Sequence, residues 1–175
     1  MHAKWIFVKC VNAKREQKLH ELICDLNEPH RSLREEPDAT HILSGIWLGN
    51  ATAAHNFKFM QFQKINDIIN VTPDIPNLFD SVQYYRFPIR DETMERNAAL
   101  HALDVGADII HKCVTKHRPV LIHCKRGHHR SATVIVYYLM KYRGLALADA
   151  IHLIKQKRPG SFRRLTRFLQ FLIHA

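Results

Sequence analysis

Pro119–His123 is a short run, apolar up to its last residue, and Arg130–Tyr142 carries a helical pattern closed by Gly144. The segment His123-Cys124-Lys125-Arg126-Gly127-His128-His129-Arg130-Ser131 joins the two. A loop between a buried strand and a helix gathers its backbone N–H groups and the positive end of the helix into one small volume. That volume is an anion site before any side chain is considered, and the rest of the chain must be arranged around it.

The side chains of the loop then have distinct tasks. Cys124 opens the loop, where N–H groups and the helix dipole favour a thiolate. Such settings lower a thiol pKa from about 8.5 to roughly 3.5–7.5, which yields a charged nucleophile at neutral pH. Gly127 can take positive φ and let the loop curl around an oxyanion. Arg130 offers a planar fork for two phosphoryl oxygens. Ser131 can donate to the sulfur and ease its departure. His123 stands directly before the nucleophile and is expected to support it rather than touch substrate. Two plainer readings compete. One is a buried Cys in an ordinary turn. The other is a metal site of His123, Cys124, His128 and His129, but adjacent ligands chelate poorly and no CxxC or HxxxH pair supports them.

The remaining pattern supplies a frame for such a loop. Ile42–Leu48 reads as a strand ending at Gly49-Asn50, Lys64–Val71 as a buried strand, and Gln83–Ile89 as a third. Glu95–Lys116 reads as a long helix with Leu100, Leu103, Ala107, Ile110 and Val114 on one face. Ala146–Lys157 and Leu165–Ile173 are further helices, separated at Pro159-Gly160. Strands alternating with helices predict an α/β fold, a mainly parallel central sheet flanked by helices. Residues 1–40 differ from the rest and read as an extension, with residues 41–175 as the domain. The extension carries one amphipathic helix over Asn12–Leu26, with Leu19, Leu22 and Ile23 on its stripe, then a polar linker holding Pro29 and Pro37. The helix is suited to packing on the domain or to docking on a partner.

Of 175 residues, 46% are hydrophobic and 24% charged, which suits a folded domain with a real core. A formal net charge of +10 favours acidic partners such as phosphates, nucleic acid or anionic lipid, without choosing among them. The apolar run Trp5–Val8 is too short for a signal-peptide core or a membrane span. Cys10, Cys24, Cys113 and Cys124 are too few for a small secreted disulfide scaffold, so an intracellular chain with reduced thiols is expected, cytoplasmic or nuclear. Cys113, beside Ile109 and Ile110, reads as a buried structural thiol.

The His-Cys-x-x-Gly-x-x-Arg-Ser loop, followed by Ala132-Thr133 and Tyr138-Leu139-Met140, closely resembles the dual-specificity branch of the cysteine-based protein tyrosine phosphatases. The resemblance runs from about Ile42 to Phe171. It takes in Ile46-Trp47-Leu48-Gly49-Asn50, Ile69-Asn70-Val71-Thr72, and the helix from Ala148 that ends in Arg158-Pro159. It implies a phosphatase-like fold and a general acid in Phe87-Pro88-Ile89-Arg90-Asp91, with Asp91 lying 33 positions before Cys124. Chemistry asks for such an acid, since an alkoxide leaves poorly. An N-cap is the competing role for Asp91, and Glu92 and Asp80 are weaker candidates for the acid. The implied reaction has two steps. Cys124 attacks phosphorus in line while Arg130 and the loop amides hold the oxygens, and Asp91 protonates the leaving group. Asp91 then activates water, and Cys124 departs with help from Ser131. Neither metal nor cofactor is required. Some viral members dimerise through an N-terminal helix, so a second copy is an expected partner for residues 12–26.

Two departures from the family pattern bear on the site. The family usually has a Pro-Asn pair after its Arg-Pro, whose Asn steadies the loop; Arg163 and Arg164 lie near that place. Lys125, Arg126, His128 and His129 also make the loop unusually basic. With Gly127 and Arg130 these four are the expected substrate-binding residues. They resemble the loops of phosphatases acting on inositol pyrophosphates or phosphoinositides, whereas the scaffold favours phosphorylated protein substrates. RNA 5′-phosphates and a phosphate-binding module without catalysis are further alternatives.

Overall fold

Val120–His123 is buried along its whole length because it lies in the middle of a five-stranded sheet. A computed structural model of the chain describes residues 2–25, 36–90, 96–164 and 166–174. Strands β1 (Ala39–Leu43), β2 (Ile46–Gly49), β3 (Asp67–Asn70), β4 (Gln83–Arg86) and β5 (Val120–His123) are ordered β1-β2-β5-β3-β4. β1 pairs antiparallel with β2, and every other pairing is parallel, so the sheet is mixed but mainly parallel, as expected. Helices flank it: α1 (His2–Asp25), α2 (Ala51–Ala54), α3 (Phe57–Phe62), α4 (Arg96–Thr115), α5 (Arg130–Arg143), α6 (Leu147–Lys157) and α7 (Arg167–Gln170), which continues as a 3-10 turn over Phe171–His174.

Successive strand side chains point to opposite faces, and the register shows where each set goes. Trp47, Leu121, Ile68 and Tyr84 lie in one row across the sheet and pack with Ala53, Ala54 and Met60 of α2 and α3. Leu48, Ile122 and Ile69 form the adjacent row on the other face, packed with Leu103, Ala107 and Ile110 of α4 and with Val134 and Ile135 of α5. Each fully buried Leu, Ile or Val contributes about 1.5–3 kcal/mol. The two layers therefore fix where β5 ends and the loop begins.

The expected elements hold with four changes. The single strand Ile42–Leu48 is a hairpin, because Ser44 (φ 45°) and Gly45 (φ 78°) both adopt positive φ and reverse the chain. α2 and α3 were not expected; each begins at an asparagine, Asn50 or Asn56, whose side chain accepts from the N–H three residues on. The N-terminal helix begins at His2 rather than Asn12, since no Pro or Gly interrupts the run; Leu26 lies outside the described residues. The last helix is shortened to α7 and its 3-10 turn, started by Thr166. Leu19 and Ile23 of α1 are buried with Phe171 and Leu172, so the apolar stripe of this helix packs on the domain itself. Among the described residues no helix is long and apolar enough to cross a membrane.

Candidate active site

The loop leaves the C-terminal end of β5 and enters α5 at Arg130. His129, the N-cap of α5, makes no side-chain bond to the helix, which leaves first-turn N–H groups for another acceptor, and that of Ser131 is turned to Cys124. Gly127 has φ 68°. A Cβ there would meet the Gly49 carbonyl oxygen at 2.5 Å, so glycine is required both for the turn and for the close approach of β2. The Ala51 N–H donates to Lys125 O (3.3 Å), and Asn50 binds Asp38 through its side-chain amide (2.7 Å). The Gly49-Asn50 motif is thereby a buttress for the loop.

Cys124 is 3% exposed. Burial, the strongest influence on its thiol, would raise the pKa. The Ser131 hydroxyl and N–H, the Arg130 charge and the Gly127 N–H outweigh it and set the thiol below its ordinary value. Ser131 Oγ donates to Cys124 Sγ at 3.3 Å. Arg130 Nη1 donates to Ile89 O at 2.9 Å, which aims the guanidinium by way of the segment after β4. Burial, which outweighs the opposing pull of the Cys124 backbone, holds the His123 ring at about 4, hence neutral. His129 is also lowered to about 4, by burial first and then by the charges of His128, Arg164, Arg163 and Arg130.

The loop's backbone is gripped from behind by Arg158, which is 1% exposed. Its Nε donates to Gly127 O (3.0 Å) and its Nη2 reaches Arg126 O (3.5 Å). Its Nη1 donates to Pro37 O (2.7 Å) and Thr40 Oγ1 (2.9 Å). The Phe162 N–H takes His128 O at 3.1 Å. Three successive carbonyls are thus held on the outside, which turns their peptides' N–H groups the other way. Arg158 was legible only as half of the Arg-Pro pair ending α6. Glu36, which meets Arg158 Nε at 3.6 Å, gave no sequence signal at all.

The expected substrate-binding side chains separate in the structure. Lys125 and Arg126 are exposed, His128 binds Glu36 (2.9 Å), and His129 is half-buried beside Arg130. Arg163 and Arg164 are exposed, and the described bonds to the loop's carbonyls come from Arg158 and Phe162 instead. Asp91 and Glu92 lie outside the described residues. Asp80 precedes the start of β4, at the sheet edge opposite the loop. Cys113 is fully buried near Asp67 at that same edge; burial first, then Asp67, push it up to about 11, as suits a structural thiol. Among the described residues no cluster of His, Cys, Asp or Glu could hold a metal ion.

A mainly parallel sheet, a Cys-Gly-Arg-Ser loop at the end of its central strand and a helix aimed at that loop define a cysteine-loop, phosphate-binding α/β domain. A family model described as the dual specificity phosphatase catalytic domain matches residues 46–175, and the chain belongs to that family. It is similar to mouse dual specificity protein phosphatase 14, 36% identical over 119 residues, which cover 67% of this chain and 59% of that protein. Human dual specificity protein phosphatase 18 is 33% identical over 136 residues, covering 77% of this chain and 71% of its own. Crystal structures of human DUSP28 (TM-score 0.70, 26% identity, 81% of this chain and 95% of that one) and of a mouse putative dual specificity phosphatase complexed with zinc tungstate (TM-score 0.70, 27% identity, 83% and 91%) share the fold. The chain thus spans about three fifths of the length of the phosphatase 14 relatives.

Proposed function

We propose that the chain hydrolyses phosphomonoesters through a cysteinyl-phosphate intermediate, acting on phosphotyrosine and phosphoserine or phosphothreonine in proteins. The observation that carries this reading is the buried Cys124 thiol, lowered in pKa, with Ser131 on its sulfur and Arg130 at the loop's end. Cys124 attacks phosphorus, forming the S–P bond as the ester P–O bond breaks, while Arg130 and the loop N–H groups hold the equatorial oxygens. Asp91 gives its proton to the departing oxygen. The anchor between Arg130 and Ile89, two positions before Asp91, supports that role. Asp91 then takes a proton from water, whose oxygen attacks phosphorus, and the Cys124 thiolate leaves with the Ser131 hydroxyl on its sulfur.

The inositol pyrophosphate reading keeps one supporting observation, the exposure of Lys125 and Arg126 beside the cup. It loses another, since His128 is engaged by Glu36. We further propose a catalytic domain over 41–175 with an extension over 1–40, working inside the cell, in cytoplasm or nucleus. Dimerisation through residues 12–26 would have to use the outer side of α1, because Leu19 and Ile23 face inward.

The test is phosphate release from a phosphotyrosine peptide, a phosphothreonine peptide, an inositol pyrophosphate and a 5′-phosphorylated RNA, with Cys124→Ser as the blank. Higher kcat/KM on the peptides is the expected result. A tenfold preference for the inositol substrate, about 1.4 kcal/mol in the transition state, would overturn the substrate class. No release from any of the four would overturn the hydrolase reading.

A further inference from the structure

Glu36 lies just before β1, far from the loop in sequence, yet its carboxylate sits against it. It accepts from His128 Nε2 at 2.9 Å and from the Gly160 N–H, and meets Arg158 Nε at 3.6 Å. The carboxylate is only 15% exposed and the His128 ring 18%. A Cβ on Gly160 would lie 2.6 Å from both carboxylate oxygens, so the turn after α6 is shaped around this group. Burial would raise Glu36, but the His128 bond, the Gly160 N–H and the Arg158 charge together hold it below its ordinary value. A carboxylate can only accept, so His128 Nε2 carries its proton and spends it on Glu36.

Three parts of the chain therefore meet at one group: the segment before β1, the loop, and the turn after α6. The carbonyls of Arg126, Gly127 and His128 are held by Arg158 and by the Phe162 N–H, both on that turn. Glu36 ties the turn to the loop through Gly160, Arg158 and His128. It also engages the Nε2 of His128. The side chains of Lys125 and Arg126, by contrast, are exposed.

We propose that Glu36 is a positioning residue for the anion cup: it acts through His128, Arg158 and Gly160 to hold the loop's N–H groups inward, and it makes His128 a strut rather than a substrate ligand. This rests on the loop being an anion site, as the hydrolase reading requires, but its test does not use turnover.

Iodoacetamide modification of Cys124 is followed by mass spectrometry across pH, with and without inorganic phosphate, in the whole chain. The pH profile gives the thiolate pKa, and protection by phosphate gives its dissociation constant. In Glu36→Ala, phosphate binding is expected to weaken at least fivefold and the thiolate pKa to rise, because N–H groups that face the sulfur become less well aimed. Removing a negative charge without loss of positioning would move the pKa downward, so the sign separates the two. Glu36→Gln keeps an oxygen for the Gly160 N–H and is expected to recover part of the lost affinity. If Glu36→Ala does not fold, Glu36→Gln is read alone against the wild type, at a threshold of twofold. Phosphate affinity unchanged within twofold, or a thiolate pKa that falls, overturns the proposal. A wild-type chain that binds phosphate but releases none from any ester would overturn the hydrolase reading and leave Glu36 to be judged on the same profiles.

Discussion

Replacing Arg158 with alanine removes a buried cation that four acceptors share. Gly127 O, Pro37 O and Thr40 Oγ1 lie at 2.7–3.0 Å from its nitrogens, and Arg126 O at 3.5 Å. Hydrogen bonds to charged groups each contribute about 1.5–3 kcal/mol, but bonds from one side chain do not add. Leaving a buried acceptor without its donor costs about 1–3 kcal/mol; with Gly127 O, Pro37 O and Thr40 Oγ1 all losing theirs, and the losses not fully additive, we take about 3–5 kcal/mol for Arg158→Ala. In a domain of this size each kcal/mol moves Tm by about 2–4 °C, so a fall of about 6–20 °C is expected. Urea unfolding followed by circular dichroism gives the stability directly. Below the variant's Tm, kcat/KM on a phosphopeptide should drop more than tenfold, because the loop carbonyls lose their outer hold. Arg158→Lys keeps the charge but gathers its donors at one point and should fall between. A stability loss under about 1 kcal/mol in Arg158→Ala, with kcat/KM within threefold, would refute the claim that this side chain shapes the cup.

Ser131→Ala removes the 3.3 Å donor to Cys124 and should raise the thiolate pKa, read from the pH dependence of alkylation; it should also slow loss of phosphate from the phosphocysteine, read by rapid quench. Gly127→Ala must fit a Cβ 2.5 Å from Gly49 O at a φ of 68°, so phosphate binding measured by calorimetry should be lost while most of the fold's circular dichroism is kept. His123 carries its own acid lability: its folded pKa of about 4 lies below the unfolded value of about 6.5, so the unfolded chain binds the proton first as pH falls. Stability should fall by about 3 kcal/mol between pH 6.5 and 4, and urea midpoints of His123→Gln across that range should show a visibly shallower slope.

How much of this could be read from the chain depends on how local the cause is. The apolar run Val120–Ile122, the Gly127 turn and the left-handed Gly144 cap act within a few residues, and each is legible as such. The Ser44-Gly45 hairpin was equally local, but the apolar residues either side of it read as one continuous strand. α2 and α3 are short, so only their asparagine caps could have announced them. Arg158 and Glu36 were hidden for a different reason. Their partners lie 31 to 124 positions away, and nothing in the nearby pattern says that a cation at the end of one helix will turn under a distant loop. Exposure also sorted the basic loop in a way that charge alone could not: it separates exposed Lys125 and Arg126 from His128, which is bound inward.

The grip of Arg158 on the loop has a consequence for the birth of the protein. A ribosome releases the chain from its N-terminal side, at about 5–20 residues per second. When Cys124 emerges, the residue that holds Gly127 O is still 31 positions behind its target, and the cradle has no back wall. The groups that lower the thiol all lie in the loop, but the outer hold that keeps the loop curled comes from a residue made later. A chain stalled before Arg158 would carry the nucleophile in a loop without that back wall, so the cup is complete only after α6 has been made.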